Sequence, residues 1–119
     1  MKIKEQNYNK GRKGETEARN YLEGKGFEFI EANFEIDTGE IDLIMADKDW
    51  LVFVEVKYKS DDRLGIPEEM IGPRKIAQVK RVSEFYLMKN PDIRRHFEKW
   101  RLDAVCILGN EIKYYPNIY

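Results

Sequence analysis

Residues 50–58 read Trp50-Leu51-Val52-Phe53-Val54-Glu55-Val56-Lys57-Tyr58. This is the strongest β pattern in the chain, dense in β-branched and aromatic side chains, and it predicts a central strand. Two charges interrupt it. Side chains alternate along a strand, so Glu55 and Lys57 share one face. Charged groups are rarely buried unless they are paired or bound to a metal. The segment before it, Glu40 to Ala46, repeats the oddity: Glu40 and Asp42 share a face among Ile41, Leu43, Ile44 and Met45. Asp47-Lys48-Asp49 turns the chain between the two strands, which makes them a hairpin. With Ala46 opposite Leu51, Asp42 falls opposite Glu55 and Glu40 opposite Lys57. A connection shorter by one residue would turn Asp42 to the reverse face and dissolve the cluster. The first register is the expected one.

Outward from the hairpin, residues 12–25 read as a helix, with Ala18, Tyr21 and Leu22 as its apolar stripe and Gly24 and Gly26 as stop signals. Phe27 to Ile36 reads as a strand ending at the turn Asp37-Thr38-Gly39. Ser60 to Pro67 is a polar loop. Pro73 to Lys89 is a second helix, with proline suited to its first turn and Ile76, Val79, Val82, Phe85 and Tyr86 on its buried side. Asn90-Pro91 ends it. Trp100 to Leu108 is a fourth strand, and Gly109-Asn110 turns into a last edge strand that tolerates Pro116. The order α-β-β-β-α-β-β predicts an α/β fold: a central mixed β-sheet of about five strands flanked by helices. At 119 residues the chain is expected to form a single domain, 1–119.

Composition narrows the class. One cysteine, Cys106, excludes an internal disulfide and fits a reducing compartment. The start of the chain lacks a hydrophobic signal stretch, and no apolar run approaches the roughly 20 residues of a membrane span. A cytoplasmic protein with no membrane association is expected. The net charge of −1 hides a segregation. Acids crowd residues 15–49. Bases crowd the start (Arg12 and Lys13 among them), the segment Arg74, Lys75, Lys80 and Arg81, and the segment from Arg94 to Arg101. An acidic centre flanked by basic segments suits a cation in the middle and phosphates around it; solvated surface charge is the plainer reading.

Asp42 and Glu55 at cross-strand range repel unless a proton or cation lies between them. Oxygen ligands of this kind suit hard cations such as Mg²⁺ or Mn²⁺, which keep several waters and need few protein ligands. One such water can lose a proton and attack phosphorus. Lys57 beside it would orient the water, take its proton, or offset charge on the phosphate. Glu15, in the first turn of the helix read over 12–25, is either a further ligand or a carboxylate stabilised by a helix N-terminus. For Asp42, Glu55 and Lys57 the plain alternative is a structural ion pair on an open sheet face.

On these residues the chain resembles the YraN-type family of small bacterial proteins, predicted members of the PD-(D/E)XK nuclease superfamily and similar to archaeal Holliday-junction resolvases. The matching stretches are Gly11-Arg12-Lys13-Gly14-Glu15 with Ala18, Tyr21 and Leu22, then Gly39-Glu40-Ile41-Asp42-Leu43-Ile44, then Val52-Phe53-Val54-Glu55-Val56-Lys57, with Gly65, Pro67, Lys75 and Arg101-Leu102-Asp103 also in place. The resemblance implies a restriction-endonuclease-like fold. It implies a Mg²⁺- or Mn²⁺-dependent endonuclease acting on DNA, branched or distorted DNA included, with Asp42, Glu55 and Lys57 as the core site and Glu15 as the helix carboxylate. It also implies, by analogy with relatives that cut two strands, a homodimer. Arg12, Lys13, Lys59, Arg74, Lys75, Lys80 and Arg81 are the expected nucleic-acid contacts. The chain departs from the family at Ala32, Glu35 and Asp37, where bases are usual, and at Lys59, where arginine is usual; lysine keeps the charge and loses the bidentate geometry.

Two other classes stay open at this stage: a catalytically silent module that binds nucleic acid or protein through the same fold, and a structural adaptor. His96 reads as a surface residue, Cys106 as an inert strand residue, and Trp50 and Trp100 as packing residues. Asp103 pairs with a nearby base or lies near the site rim. No glycine-rich phosphate loop and no nucleophile triad is present.

Overall fold

In a computed structural model, the backbone is described for residues 2–119 and the side chains for residues 13–119. Eight elements of regular structure follow in order: helix α1 (Lys2–Gly24), strands β1 (Glu28–Ile36), β2 (Gly39–Asp47) and β3 (Trp50–Lys59), helices α2 (Pro73–Lys89) and α3 (Pro91–His96), and strands β4 (Lys99–Leu108) and β5 (Glu111–Tyr115). A short 3₁₀ turn, Pro67–Met70, lies between β3 and α2. The strands form one sheet in the order β1-β2-β3-β4-β5. Neighbours are antiparallel except β3 and β4, which run parallel. A parallel pair needs a long crossover, and α2 with α3 supplies it.

The expected α/β order holds, with three local differences. α1 begins about ten residues earlier than the apolar stripe suggests and runs through Gly11 and Gly14. Glu15 therefore sits inside a helix, and the account of it as a carboxylate at a helix N-terminus loses its basis. Asn90-Pro91 ends α2 but also opens α3, where Pro91 takes the first-turn position that needs no N–H donor. The turn between β2 and β3 tightens to Lys48-Asp49, with Lys48 at φ 56°. Such a turn matches the twist of a hairpin and leaves Ala46 opposite Leu51 as expected.

Alternation along β3 divides the core between the two faces of the sheet. Val52, Val54 and Val56 pack with Leu43, Met45, Val105 and Ile107 under Ala18 and Leu22 of α1. Leu51 and Phe53 pack with Ile44 and Leu102 under Val79, Val82, Tyr86 and Leu87 of α2. Phe53 meets both Tyr86 and Trp100 edge to face, the favoured aromatic geometry. In β1, Phe29 joins the α1 side while Phe34 and Ile36 join the α2 side. Between them a bulge at Phe29–Glu31 puts Ala32 on the α1 side with Phe29, and Asn33, at φ 56°, lies where the strand returns to its first alternation. Among the described residues, no helix is long and apolar enough to cross a membrane.

The α1–β3 contact rests on Gly14. A Cβ at this position would lie 3.0 Å from Cβ of Tyr58. Gly14→Ala should therefore overpack the interface and lower stability by about 1–2 kcal/mol. That outcome would run against the gain of about 1 kcal/mol that alanine brings to a helix interior. A melting temperature at or above wild type would show that α1 does not sit this close to β3.

Candidate active site

β2 and β3 are paired from Asp47–Trp50 to Leu43–Val54, and there the ladder stops, although both strands continue. The next N–H on β3 that faces β2, that of Val56, donates to Oδ2 of Asp42 at 2.7 Å. A side chain has replaced a backbone carbonyl, and the two strands part. Into the opening face residues from both sides of the sheet. A cavity of about 360 Å³ is lined by Gly14 and Glu15 of α1, Glu40 and Asp42 of β2, Glu55, Val56, Lys57 and Tyr58 of β3, Met70 and Lys75. The structure thus brings Glu15, Asp42, Glu55 and Lys57 to one place.

The electrostatics of the cavity are unbalanced. Glu55 is 3% exposed and Asp42 8%. Taking a carboxylate out of water costs several kcal/mol even after relaxation, so two side by side need strong compensation. The available compensation is loose. Lys57 Nζ stands 3.6 Å from Glu55 Oε1 and Lys75 Nζ 3.8 Å from Glu55 Oε2. A charge-assisted hydrogen bond closes to about 2.7–2.9 Å. Glu55 Oε2 is the single buried side-chain polar atom among the described residues that has no hydrogen-bond partner. A structural ion pair that has settled for stability would have closed that gap.

Burial, and next the charge of Glu55, push the Asp42 carboxyl up to about 7; the Val56 N–H and Lys57 act the other way. Glu40 is raised as well, first by burial and then by Asp42 and Glu35. Glu40 lines the cavity although its chemistry drew no assignment from the sequence; the signal was there in its two-residue spacing from Asp42.

A hard divalent cation fits this donor set. The acidic oxygens are hard ligands, one of them is buried and unsatisfied, and the local excess of negative charge is what a cation would neutralise. Among the described residues no three histidine, cysteine, aspartate or glutamate side chains gather into a ready-made metal shell. Two carboxylates with waters completing the shell is the arrangement Mg²⁺ favours.

The other expected residues are placed variously. Lys75, expected as a contact to DNA backbone, reaches into the cavity itself. Lys59 Nζ donates to the Leu64 carbonyl at 3.0 Å and does not line the cavity. Lys13 Nζ lies 5.7 Å from the Tyr58 ring centroid. Lys80 Nζ sits 4.6 Å over the Tyr119 ring. Arg74 and Arg81 flank a separate groove on α2. The side chain of Arg12 falls outside the described residues. Asp103 takes the first of its two expected roles: it is fully buried and accepts from Arg101 Nε at 3.0 Å and from the Asn117 N–H at 2.8 Å. Cys106 is buried and its thiol is pushed up to about 12 by burial, as suits an inert residue.

Known proteins resemble this chain over most of its length. The profile of a family described as "Uncharacterised protein family UPF0102" matches residues 14–107, a span that holds Glu15, Asp42, Glu55, Lys57 and Lys75. A UPF0102 protein of Aliivibrio fischeri strain MJ11 is 40% identical over 119 residues, covering 98% of this chain and 96% of its own. One from Persephonella marina is 36% identical, with 92% of each chain covered. Another, from Syntrophomonas wolfei, is 41% identical with 84% of each covered.

The raised Asp42 carboxyl has a consequence for stability in the absence of metal. In the unfolded chain this group titrates near 3.8, in the fold near 7. Between these values the folded state holds the extra proton, so raising the pH favours unfolding. The contribution is fully present below about pH 4 and is lost as the pH rises through about 7. Asp42→Asn keeps an oxygen for the Val56 N–H and removes the charge. It should melt higher than wild type at pH 8, with the difference closing toward pH 4. Parallel melting curves for the two proteins across this range would contradict the assignment.

Proposed function

The chain belongs to the uncharacterised protein family UPF0102, and from that footing we propose that the cavity between β2 and β3 is the active site of a divalent-cation-dependent endonuclease that hydrolyses DNA phosphodiester bonds. The observation that carries the reading is the unsatisfied, buried Glu55 Oε2 beside Asp42 in a cavity rimmed by ammonium groups. Asp42 and Glu55 would hold Mg²⁺ or Mn²⁺, with Glu15 across the cavity as a ligand through water. When bound, the cation supplies a more acidic water and charge stabilisation at phosphorus.

The chain's own groups divide the remaining work. Asp42 and Glu55 fix the position of the positive charge between the strands. Lys57 Nζ stands 3.6 Å from Glu55 Oε1 without closing a hydrogen bond on it, so its task is to bind a phosphate oxygen on which charge builds. Val56 and Tyr58 form a partly apolar wall that limits water. The resemblance to junction-cutting nucleases supports branched or distorted DNA as the substrate, and pairing of two copies as the way both strands would be cut. The architecture, a five-stranded mixed sheet with helices packed on both faces, supports the same reading.

Purified protein with Mn²⁺ should cut a labelled four-way DNA junction, and Glu55→Ala should lower the rate at least a hundredfold while keeping salt-sensitive DNA binding. Cutting by the variant at the wild-type rate would place the activity elsewhere. DNA binding with no cutting by the wild type would mark the chain as a silent binding module.

A further inference from the structure

Lys75, with Met70, lines both the Asp42–Glu55 cavity and the groove next to it. On one side it faces the Asp42–Glu55 pair. On the other it faces a groove of about 510 Å³ along the start of α2, bounded by Arg74, Gln78 and Arg81. Its ammonium is held at their boundary. Lys75 Nζ donates to Gln78 Oε1 at 3.3 Å, and Gln78 Nε2 donates to the Thr38 carbonyl at 2.7 Å. Thr38 belongs to the turn joining β1 and β2, so that turn sets the reach of a lysine on α2. The turn is shaped for the purpose at Gly39, where φ is 158° and a Cβ would lie 3.0 Å from the Gln78 side chain. Lys75 reaches Glu55 Oε2 at 3.8 Å without closing a hydrogen bond on it.

We propose that Lys75 is a second phosphate-binding ammonium of this site, and that one strand of nucleic acid reaches the Asp42–Glu55 pair along the α2 groove, past Arg81 and Arg74. The inference rests on the proposed nuclease reading and adds to it a direction and a residue. Three observations point the strand this way. Arg74 and Arg81 are exposed and stand two helical turns apart, about 10 Å along the axis, the length of about three nucleotide steps. The opposite approach, over β1, presents the exposed carboxylates Glu28, Glu31 and Glu35 and would repel a phosphate backbone. Finally, the Lys75 ammonium that lines the groove stands 3.8 Å from the orphaned oxygen of Glu55, so it can meet a phosphate entering the cavity from the groove. Gln78 touches no substrate in this scheme. It is a positioning residue that acts through Lys75.

Two binding measurements test this. Mn²⁺ alone is titrated by calorimetry, and a labelled four-way DNA junction is titrated without divalent cation across a range of salt. Lys75→Met, which keeps the aliphatic stem, should bind Mn²⁺ three- to tenfold more tightly, because Glu55 loses a competing cation. It should also lower the salt slope of DNA binding by about one. Lys75→Gln should do the same, which guards against a packing artefact of methionine. Arg74→Ala with Arg81→Ala should lower the slope by about two and leave Mn²⁺ affinity unchanged. Gln78→Ala should weaken junction binding in the wild type and have no effect in the Lys75→Met background. Wild-type Mn²⁺ affinity and salt slope in both Lys75 variants would overturn the proposal while leaving the nuclease reading standing. The expected Lys75 effects in a protein that never cuts DNA would do the reverse. A wild type that binds neither Mn²⁺ nor the junction would overturn both.

Discussion

A single exchange of partners organises the molecule: the Val56 N–H, which a regular hairpin would give to a β2 carbonyl, goes to the carboxylate of Asp42. That hydrogen bond uses up the donor at the point where the β2–β3 ladder ends, so no buried N–H is left unpaired and the strands are free to separate. Separation admits α1 from one face and α2 from the other. Without it the sheet would be closed, Glu15 and Lys75 would lie on opposite sides of a continuous layer, and Glu55 would be one more charge on a flat surface.

The rest of the fold supplies the stability that such a site spends. Two apolar layers, one under α1 and one under α2, grip β3 from both faces up to Val54 and Val56. The parallel pairing of β3 with β4 continues unbroken through Glu55, Lys57 and Lys59. One edge of β3 is therefore fully tied while the other is released, and the released edge carries the acids. The strand keeps its position although its carboxylate is desolvated and only loosely paired. Far from the opening, Asp103 shows what a satisfied buried acid looks like in the same protein: three donors at 3.0 Å or less, Arg101 Nε, the Tyr114 hydroxyl and the Asn117 N–H. Glu55 is treated differently by the same fold: two ammonium groups stand near it and its Oε2 has no hydrogen bond, which is the ground for the proposed cation.

Much of this could be read from the chain because the decisive relations are short in sequence. Asp42 and Glu55 lie on either side of one tight turn, and period-two alternation carries the facing from the turn to the site. The longer-range parts were less legible. Glu15 looked like a first-turn carboxylate because the apolar stripe begins only at Ala18 and the residues ahead of it are polar; in the fold α1 starts well before it, and Gly14 is a point of close approach to Tyr58 that only the packed partner reveals. Lys75 looked like one member of a basic helix face. Nothing local shows that the start of α2 lies over the opening, or that Gln78 ties it to the β1–β2 turn. Glu40 was on the correct face by alternation and lacked only a reason to be counted. Asn90-Pro91 was read as a stop because proline ends one helix as readily as it begins the next.

The central claim is that Asp42 and Glu55 together form a cation site in the gap between β2 and β3. Crystals grown in Mn²⁺ and examined by anomalous scattering test it directly. The account predicts one strong peak in the gap, about 2 Å from a carboxylate oxygen of each of the two residues. A map with no peak there, and with Glu55 Oε2 closed onto an ammonium at hydrogen-bond distance, would contradict it.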